Sequence, residues 1–335
     1  MTNFAGNSLI MFQRFFQKYT GALRAFKPLY VINNLLNRDK LRHNRDLYKQ
    51  FGLKKSIFAP INSTDFDTHS ADIPWLDRPD ALTQLIQHPD FHHFSAETQA
   101  QIRHFIENGF LILRGWLDNT QVAEINTEVE KLLAEQKAGF NYTGRKIMAA
   151  YEISPIINHY FRQPELLQLL DFILGKKIIP FHTINFIEGS EQRAHSDSIH
   201  MTTEPQGYLI AAWTALDDCD ENNGPLFYYP KSHRLPYIMS PDYDSGSTKL
   251  LLGKDNNRQY EDRIEMLIRE KQLKKAYFYA KKGDILLWHA NLIHGGSPIL
   301  EKGRTRKSMV AHYFTEGVLC YHEMSQRPAL IKTLP

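Results

Sequence analysis

The chain has 335 residues, 42% of them apolar and 23% charged, with 18 Gly and 16 Pro, enough to bury one large core or two modest ones. Collagen-like, coiled-coil and low-complexity signatures are absent, and no run of about 18 uninterrupted apolar residues offers a membrane span. Cys219 and Cys320 are the only cysteines; they give neither a disulfide framework nor a thiolate metal site, and a reducing, cytoplasmic setting is expected. The net charge of +3 conceals an asymmetry. Residues 1–55 carry eleven basic residues against Asp39 and Asp46, a net of +9, which leaves −6 for the other 280. Such an imbalance points to a basic attachment element ahead of a mildly acidic body.

Over residues 9–30, Phe12, Phe15, Phe16, Tyr19, Leu23, Phe26 and Tyr30 recur at steps of three and four, which predicts a helix with an aromatic face. Arg14, Lys18, Arg24 and Lys27 fall mostly elsewhere on it, and a basic run, Arg38 to Arg45, follows. Two readings stand side by side: a helix lying in a lipid headgroup layer, which would make the protein peripheral on a membrane, or a helix packed on the body. A transit peptide is a third, with few serines to support it. No nucleic-acid-binding module accompanies the basic residues, so no nucleic-acid partner is expected.

From Asn62 to Phe94 the composition turns to Asp, His, Pro and Ser, an irregular connection around one short helix, Asp80 to Gln87. Ser95 is placed to start a helix running to Asn108. Gly109 stops it before the apolar strand Phe110 to Leu113. Asp118 or Asn119 caps a second helix, Gln121 to Gln136, and a third, Glu165 to Leu174, ends at Gly175. Beyond it the period changes. IIPFHTINFIEG, GYLIAAWTAL, GPLFYYP, KAYFYA, GDILLWH and KSMVAHYF are short runs of β-formers bounded by turn residues, with one helix, Tyr260 to Leu273, among them. Helices lead and strands follow, which favours an antiparallel sandwich or barrel such as a jelly roll over a parallel α/β sheet.

His195 and Asp197 in RAHSDSIH, with a distant second histidine, match the two-histidine, one-carboxylate set that leaves three positions of Fe(II) open. On a strand, residues i and i+2 share a side, so both could converge on one ion. His88 and Asp90 repeat the spacing in the irregular connection, so the pair alone is weak. The distal histidine is His294 in HANLIHGGSP, with His289 as its competitor. Arg306 and Ser308 share a face of the last strand, where a guanidinium beside a hydroxyl suits a carboxylate; Arg304 competes for that part. The acidic run Asp217, Asp218, Asp220 and Glu221 reads as a solvated turn.

Taken together, IRHFIENGFLILRGWLDNTQVAEINTEVEKLL, the HSD pair, GYLIAAWTALDDCDENNGPLFYYPKSHR, GDILLWHANLIHGGSP and RKSMVAHYF resemble the phytanoyl-CoA dioxygenase family of Fe(II)- and 2-oxoglutarate-dependent oxygenases over residues 97–320. The resemblance implies a mainly β fold with flanking helices (α+β) around a double-stranded β-helix, or jelly-roll, core. It divides the chain into a basic aromatic extension (1–60), a connection (61–94) and an oxygenase domain (95–325) with a helical insert near 236–275. It implies His195, Asp197 and His294 as iron ligands, and Arg306 assisted by Ser308 as the anchor of the 2-oxoglutarate distal carboxylate. Trp213, Asn185, Ser297 and Lys146 are its further cosubstrate contacts. The implied reaction consumes O2 and 2-oxoglutarate to hydroxylate an unactivated C–H bond of a small-molecule or lipid substrate. Related halogenases lack the carboxylate ligand, so Asp197 favours hydroxylation. The rival reading is a non-catalytic metal- or carbohydrate-binding jelly roll.

Overall fold

The computed structural model describes residues 25–138 and 146–331. Its helices in chain order are α1 (Lys27–Leu36), α2 (Asn44–Gln50), α3 (Ala81–Gln87), α4 (Ala96–Asn108), α5 (Asn119–Ala134), α6 (Pro155–Phe161), α7 (Pro164–Leu174) and α8 (Asn256–Glu270). The strands are β1 (Phe110–Leu113), β2 (Lys146–Met148), β3 (Ile178–Phe186), β4 (Thr202–Glu204), β5 (Leu209–Ala215), β6 (Leu226–Tyr228), β7 (Ala276–Phe278), β8 (Ile285–His289), β9 (His294–Gly296), β10 (Ser308–Thr315), β11 (Leu319–His322) and β12 (Arg327–Pro328). The chain forms two compact units. One comprises Thr68–Tyr237 and Ile264–Cys320; the other joins the residues up to Asp67, Ile238–Arg263 and the residues from Tyr321 on.

The larger unit is a double-stranded β-helix. One sheet has the order β1-β8-β5-β10-β3-β2 and the other β7-β6-β9, with antiparallel pairing throughout. Register decides which side chains share a face. Lys146, Phe186, Ser308 and Ala215 form one cross-strand row. Met148, Ile184, Val310, Trp213, Leu286 and Ile112 form the next, and His182, His312, Ala211, Trp288 and Phe110 a third. Members of these rows pack with Leu226 and Tyr228 of β6 and Phe278 of β7 into one buried cluster, so this is the face that meets the smaller sheet. Along β5 the face alternates Ala211, Trp213, Ala215. The small side chains on either side of the indole leave room for groups entering from outside the sheet.

The helices begin and end where local chemistry satisfies their free backbone groups. Ser95 Oγ accepts from Thr98 N at 3.1 Å at the start of α4, and Gly109, at φ +79°, closes it before β1. Asp118 Oδ1 accepts from Thr120 N and Gln121 N, while Gln121 Oε1 accepts in return from Asp118 N, a capping box for α5. Gly175, at φ +68°, ends α7. The structure adds α6, which Ser154 caps and Pro155 opens, and starts α8 one turn before the Tyr260 expected for it.

In the smaller unit, Glu323 is fully buried and ties three stretches of chain together. Its carboxylate accepts from Ser63 N at 2.8 Å, Ser63 Oγ at 2.6 Å and Ser240 N at 3.0 Å. Most of the aromatic helix expected over residues 9–30 lies outside the described residues. Where they begin, Phe26 is extended and bridges to Leu251, and α1 starts only at Lys27, with Pro28 in its first turn. No described helix is long and apolar enough to cross a membrane.

Candidate metal centre

His195 and His294 are 99 positions apart, yet their backbones form a two-way bridge: each N–H donates to the other's carbonyl at 2.9 Å. This seats the two rings next to each other, tilted at 51° with centroids 4.4 Å apart. Asp197 does not continue a strand from His195, as the i, i+2 spacing suggests; it opens a 3-10 turn, Asp197–Ile199, that swings its carboxylate toward the same point. Ligand atoms of His195, Asp197 and His294 all lie within 4.8 Å of one another, and the three side chains are buried.

The surroundings fix which atom each residue presents. His195 Nδ1 lies 2.8 Å from the Arg193 carbonyl and His294 Nδ1 3.0 Å from the Leu292 carbonyl. A carbonyl only accepts, so both Nδ1 atoms carry the proton and both Nε2 lone pairs face the cluster. That is the tautomer a divalent cation needs, held by the outer hydrogen bond. Burial presses the His195 pKa down to about 3, with His294 adding to it, so the ring stays neutral. For Asp197 burial alone would raise the carboxyl; His294 and His312 outweigh it and hold the group well below the usual carboxylate range. Two imidazoles and one carboxylate within ligand distance suit a first-row divalent metal.

Beside this cluster lies a cavity of about 70 Å³, lined by the three residues together with Trp213, Arg306, Phe186, Leu226, Trp288 and His312 among others. Arg306 is 1% exposed. Its Nε and Nη1 have no partner, and its guanidinium carbon sits 5.5 Å from the Trp213 ring. Burial lowers its pKa to about 10, so it is a cation at neutral pH. Ser308 Oγ and Trp213 Nε1 are also buried without partners. Two orphaned nitrogens on one buried guanidinium call for an acceptor with negative charge.

The remaining candidates separate. His289 does not join the cluster: its Nε2 bonds Asp77 at 3.0 Å and its Nδ1 accepts from Asn291 N. Arg304 is bound to Asp220 at 2.9 Å, and His88 Nδ1 accepts from Asp90 N at the start of a 3-10 turn. Asn185 is at the opposite parity on β3 from Ile184 and Phe186. It lines a different small cavity, with Asn126, Leu216 and Lys307, because alternation along the strand turns it to the other face. Ser297 has an unpartnered Oγ but follows β9 at the parity opposite His294, and it does not line the cavity over the metal cluster. Lys146 lies 5.7 Å from the Phe186 ring at the edge of the sheet, half-buried, with its pKa lowered by burial. The acidic run is engaged by neighbours: Asp217 takes Thr305 Oγ1 and Lys307 N, and Asp218 takes Lys281 Nζ and Lys282 N.

Two further residues meet Asp197: Trp288, which sequence reasoning passed over, and His312, which it reads as structural or exposed. Trp288 Nε1 donates to Asp197 Oδ2 at 2.7 Å, and His312 Nε2 lies 3.5 Å from the same oxygen. Both were legible by parity, since His312 continues the row Arg306, Ser308, Val310, and Trp288 faces as Leu286 does.

A family model described as Phytanoyl-CoA dioxygenase (PhyH) matches residues 105–308. Peroxisomal phytanoyl-CoA dioxygenase of Homo sapiens is 23% identical over 242 residues, covering 64% of this chain and 68% of that protein. Ectoine dioxygenase of Bordetella bronchiseptica is 24% identical over 213 residues, covering 59% and 69%. Among solved structures, the non-heme alpha ketoglutarate dependent epimerase SnoN from nogalamycin biosynthesis superposes with TM-score 0.52 at 18% identity, covering 66% of this chain and 84% of that one. EctD from S. alaskensis, solved with 2-oxoglutarate and 5-hydroxyectoine, gives TM-score 0.52 at 20% identity, covering 66% and 76%. These two likenesses concern the fold.

Proposed function

The chain belongs to the phytanoyl-CoA dioxygenase family, and on that footing we propose that it is an Fe(II)- and 2-oxoglutarate-dependent dioxygenase that hydroxylates an unactivated C–H bond of a small-molecule or lipid substrate. The observation that carries this reading is Arg306: a buried cation with no carboxylate partner among the described residues, in the same cavity as His195, His294 and Asp197. His195 Nε2, His294 Nε2 and an Asp197 oxygen hold the metal. Arg306 and Ser308 Oγ take the far carboxylate of the cosubstrate, and Trp213 packs against the guanidinium. When bound, iron and 2-oxoglutarate supply the activation of O2, with oxidative decarboxylation of the cosubstrate to succinate and CO2.

The protein's own part is arrangement. The His195–His294 backbone bridge sets the spacing of two ligands before any metal arrives. The Arg193 and Leu292 carbonyls keep both proton-bearing nitrogens turned outward. Ile184, Phe186, Leu226 and Val310 give the cavity an apolar wall beside the metal-ligand cluster. Phytanoyl-CoA and ectoine, named for the relatives, are an acyl thioester and a small solute, which supports a small-molecule or acyl substrate here without choosing between them.

Anaerobic titration of the protein with Fe(II) and 2-oxoglutarate tests this. The expected result is a weak visible charge-transfer band that His195→Ala abolishes and that Arg306→Ala develops only at tenfold or more higher cosubstrate. Folded wild-type protein without the band would overturn the oxygenase reading in favour of a non-catalytic jelly roll.

A further inference from the structure

The third cross-strand row places His312 of β10 and Trp288 of β8 on either side of Ala211 of β5. Ala211 has only a methyl group, so the row has a gap at its middle strand, flanked by two N–H donors. The Asp197 carboxylate fills that gap. Trp288 Nε1 donates to Oδ2 at 2.7 Å and His312 Nε2 approaches the same atom at 3.5 Å, while Oδ1 is the oxygen that lies 3.8 Å from His294 Nε2. The two carboxylate oxygens are therefore not equivalent.

We propose that Trp288 and His312 are positioning residues that hold Asp197 Oδ2 away from the His195–His294 cluster and keep Oδ1 turned toward it, as the oxygen that would meet a metal. The inference rests on Asp197 being a metal ligand, as argued above. Its support is independent of that. His312 is buried, its Nδ1 has no partner among the described residues, and while His182 is its neighbour in the row, its Nε2 lies 3.5 Å from the carboxylate. The Trp288 indole also packs against the His294 ring, tilted at 45° with centroids 4.6 Å apart, so one side chain restrains two ligands. A hydrogen bond to the outer oxygen of a ligating carboxylate fixes its orientation, and loss of such a bond typically lowers metal affinity 10- to 100-fold.

The test uses full-length, metal-free protein titrated with Co(II), following both affinity and the visible d–d spectrum, with melting temperature recorded before metal is added. Trp288→Phe keeps ring packing and removes the donor. His312→Phe removes the second donor, and His312→Gln restores an N–H at a comparable reach. We expect Trp288→Phe and His312→Phe to bind Co(II) about 10- to 100-fold more weakly, with an altered d–d spectrum that reports a second carboxylate oxygen on the ion. His312→Gln should recover most of the affinity and the wild-type spectrum, which a merely structural role for His312 would not require. Should Trp288→Phe fail to fold, the His312 pair decides alone. Unchanged affinity and spectrum in the donor-deleted variants would overturn this inference and leave the metal site standing. Failure of the wild type to bind Co(II) would overturn both.

Discussion

Arg306 is a full positive charge with 1% of its surface exposed, and the cation–π contact with Trp213 offsets only part of its desolvation. In the cosubstrate-free protein this charge is a cost, which makes an unusual substitution informative. Arg306→Met removes the buried charge and keeps most of the volume. The metal-free variant is expected to be as stable as wild type or more stable by about 1–3 kcal/mol, whereas the melting-temperature rise that 2-oxoglutarate gives the metal-loaded wild type is lost. A variant that is strongly destabilised without cosubstrate would show that Arg306 has a structural anion we have not identified. At this scale the sequence grouped Arg306 with Ser308 by parity, and both are buried with unpartnered polar atoms. It misled at Asn185, where a motif position was assigned without strand parity, and it passed over His312, which parity placed on the same face as Ser308 but whose carboxylate neighbour stands 115 positions away.

The turn that launches β8 decides where the row carrying Trp288 falls. Gly283, at φ +89°, donates its N–H to Ala215 O at 2.8 Å, and a Cβ there would stand 2.1 Å from the Leu117 carbonyl oxygen. Asp284 follows and accepts from Gly115 N at 2.9 Å and Lys281 N at 3.0 Å. Gly283→Ala therefore meets both a left-handed backbone and a backbone clash and is expected to cost at least about 2 kcal/mol. Gly303, at φ +88° with open space around it, supplies the control, with an expected cost of about 1 kcal/mol for Gly303→Ala. Urea unfolding of the two variants measures the difference; equal midpoints would refute the clash argument. Elements with caps were legible in advance: α4 between Ser95 and Gly109, α5 behind Asp118, α7 before Gly175. The short strand β9 was not, because His294, Gly295 and Gly296 have no strand propensity and are extended only through pairing with β6.

Across the whole molecule, several histidines are folded into places that disfavour their charged form. Burial lowers His43 to about 4, and His182 and His233 to about 3, against an ordinary value of 6.5. A lowered pKa in the folded state means that, below about pH 6.5, the unfolded chain takes up protons the folded chain refuses, so stability is full above that pH and declines as pH falls toward 3–4. For His233, which is 7% exposed, the slope is roughly 1.4 kcal/mol per pH unit within that window. Asp77, whose carboxyl is raised by burial but lowered more by His289, adds loss in the same direction at the acid end. The urea midpoint of metal-free protein should thus fall between pH 7.5 and 5.5; a midpoint that stays level or rises would contradict the buried-neutral assignment. The carboxylate of Glu323 has a consequence of another kind. Its partners come from a stretch before the family-matched residues and from one inside them, and Glu323 itself lies after them. Losing the Ser63 or the Ser240 stretch would leave a buried carboxylate short of hydrogen bonds, and losing the Glu323 stretch would leave their donors unmet, so a cut far from either partner in sequence still reaches both.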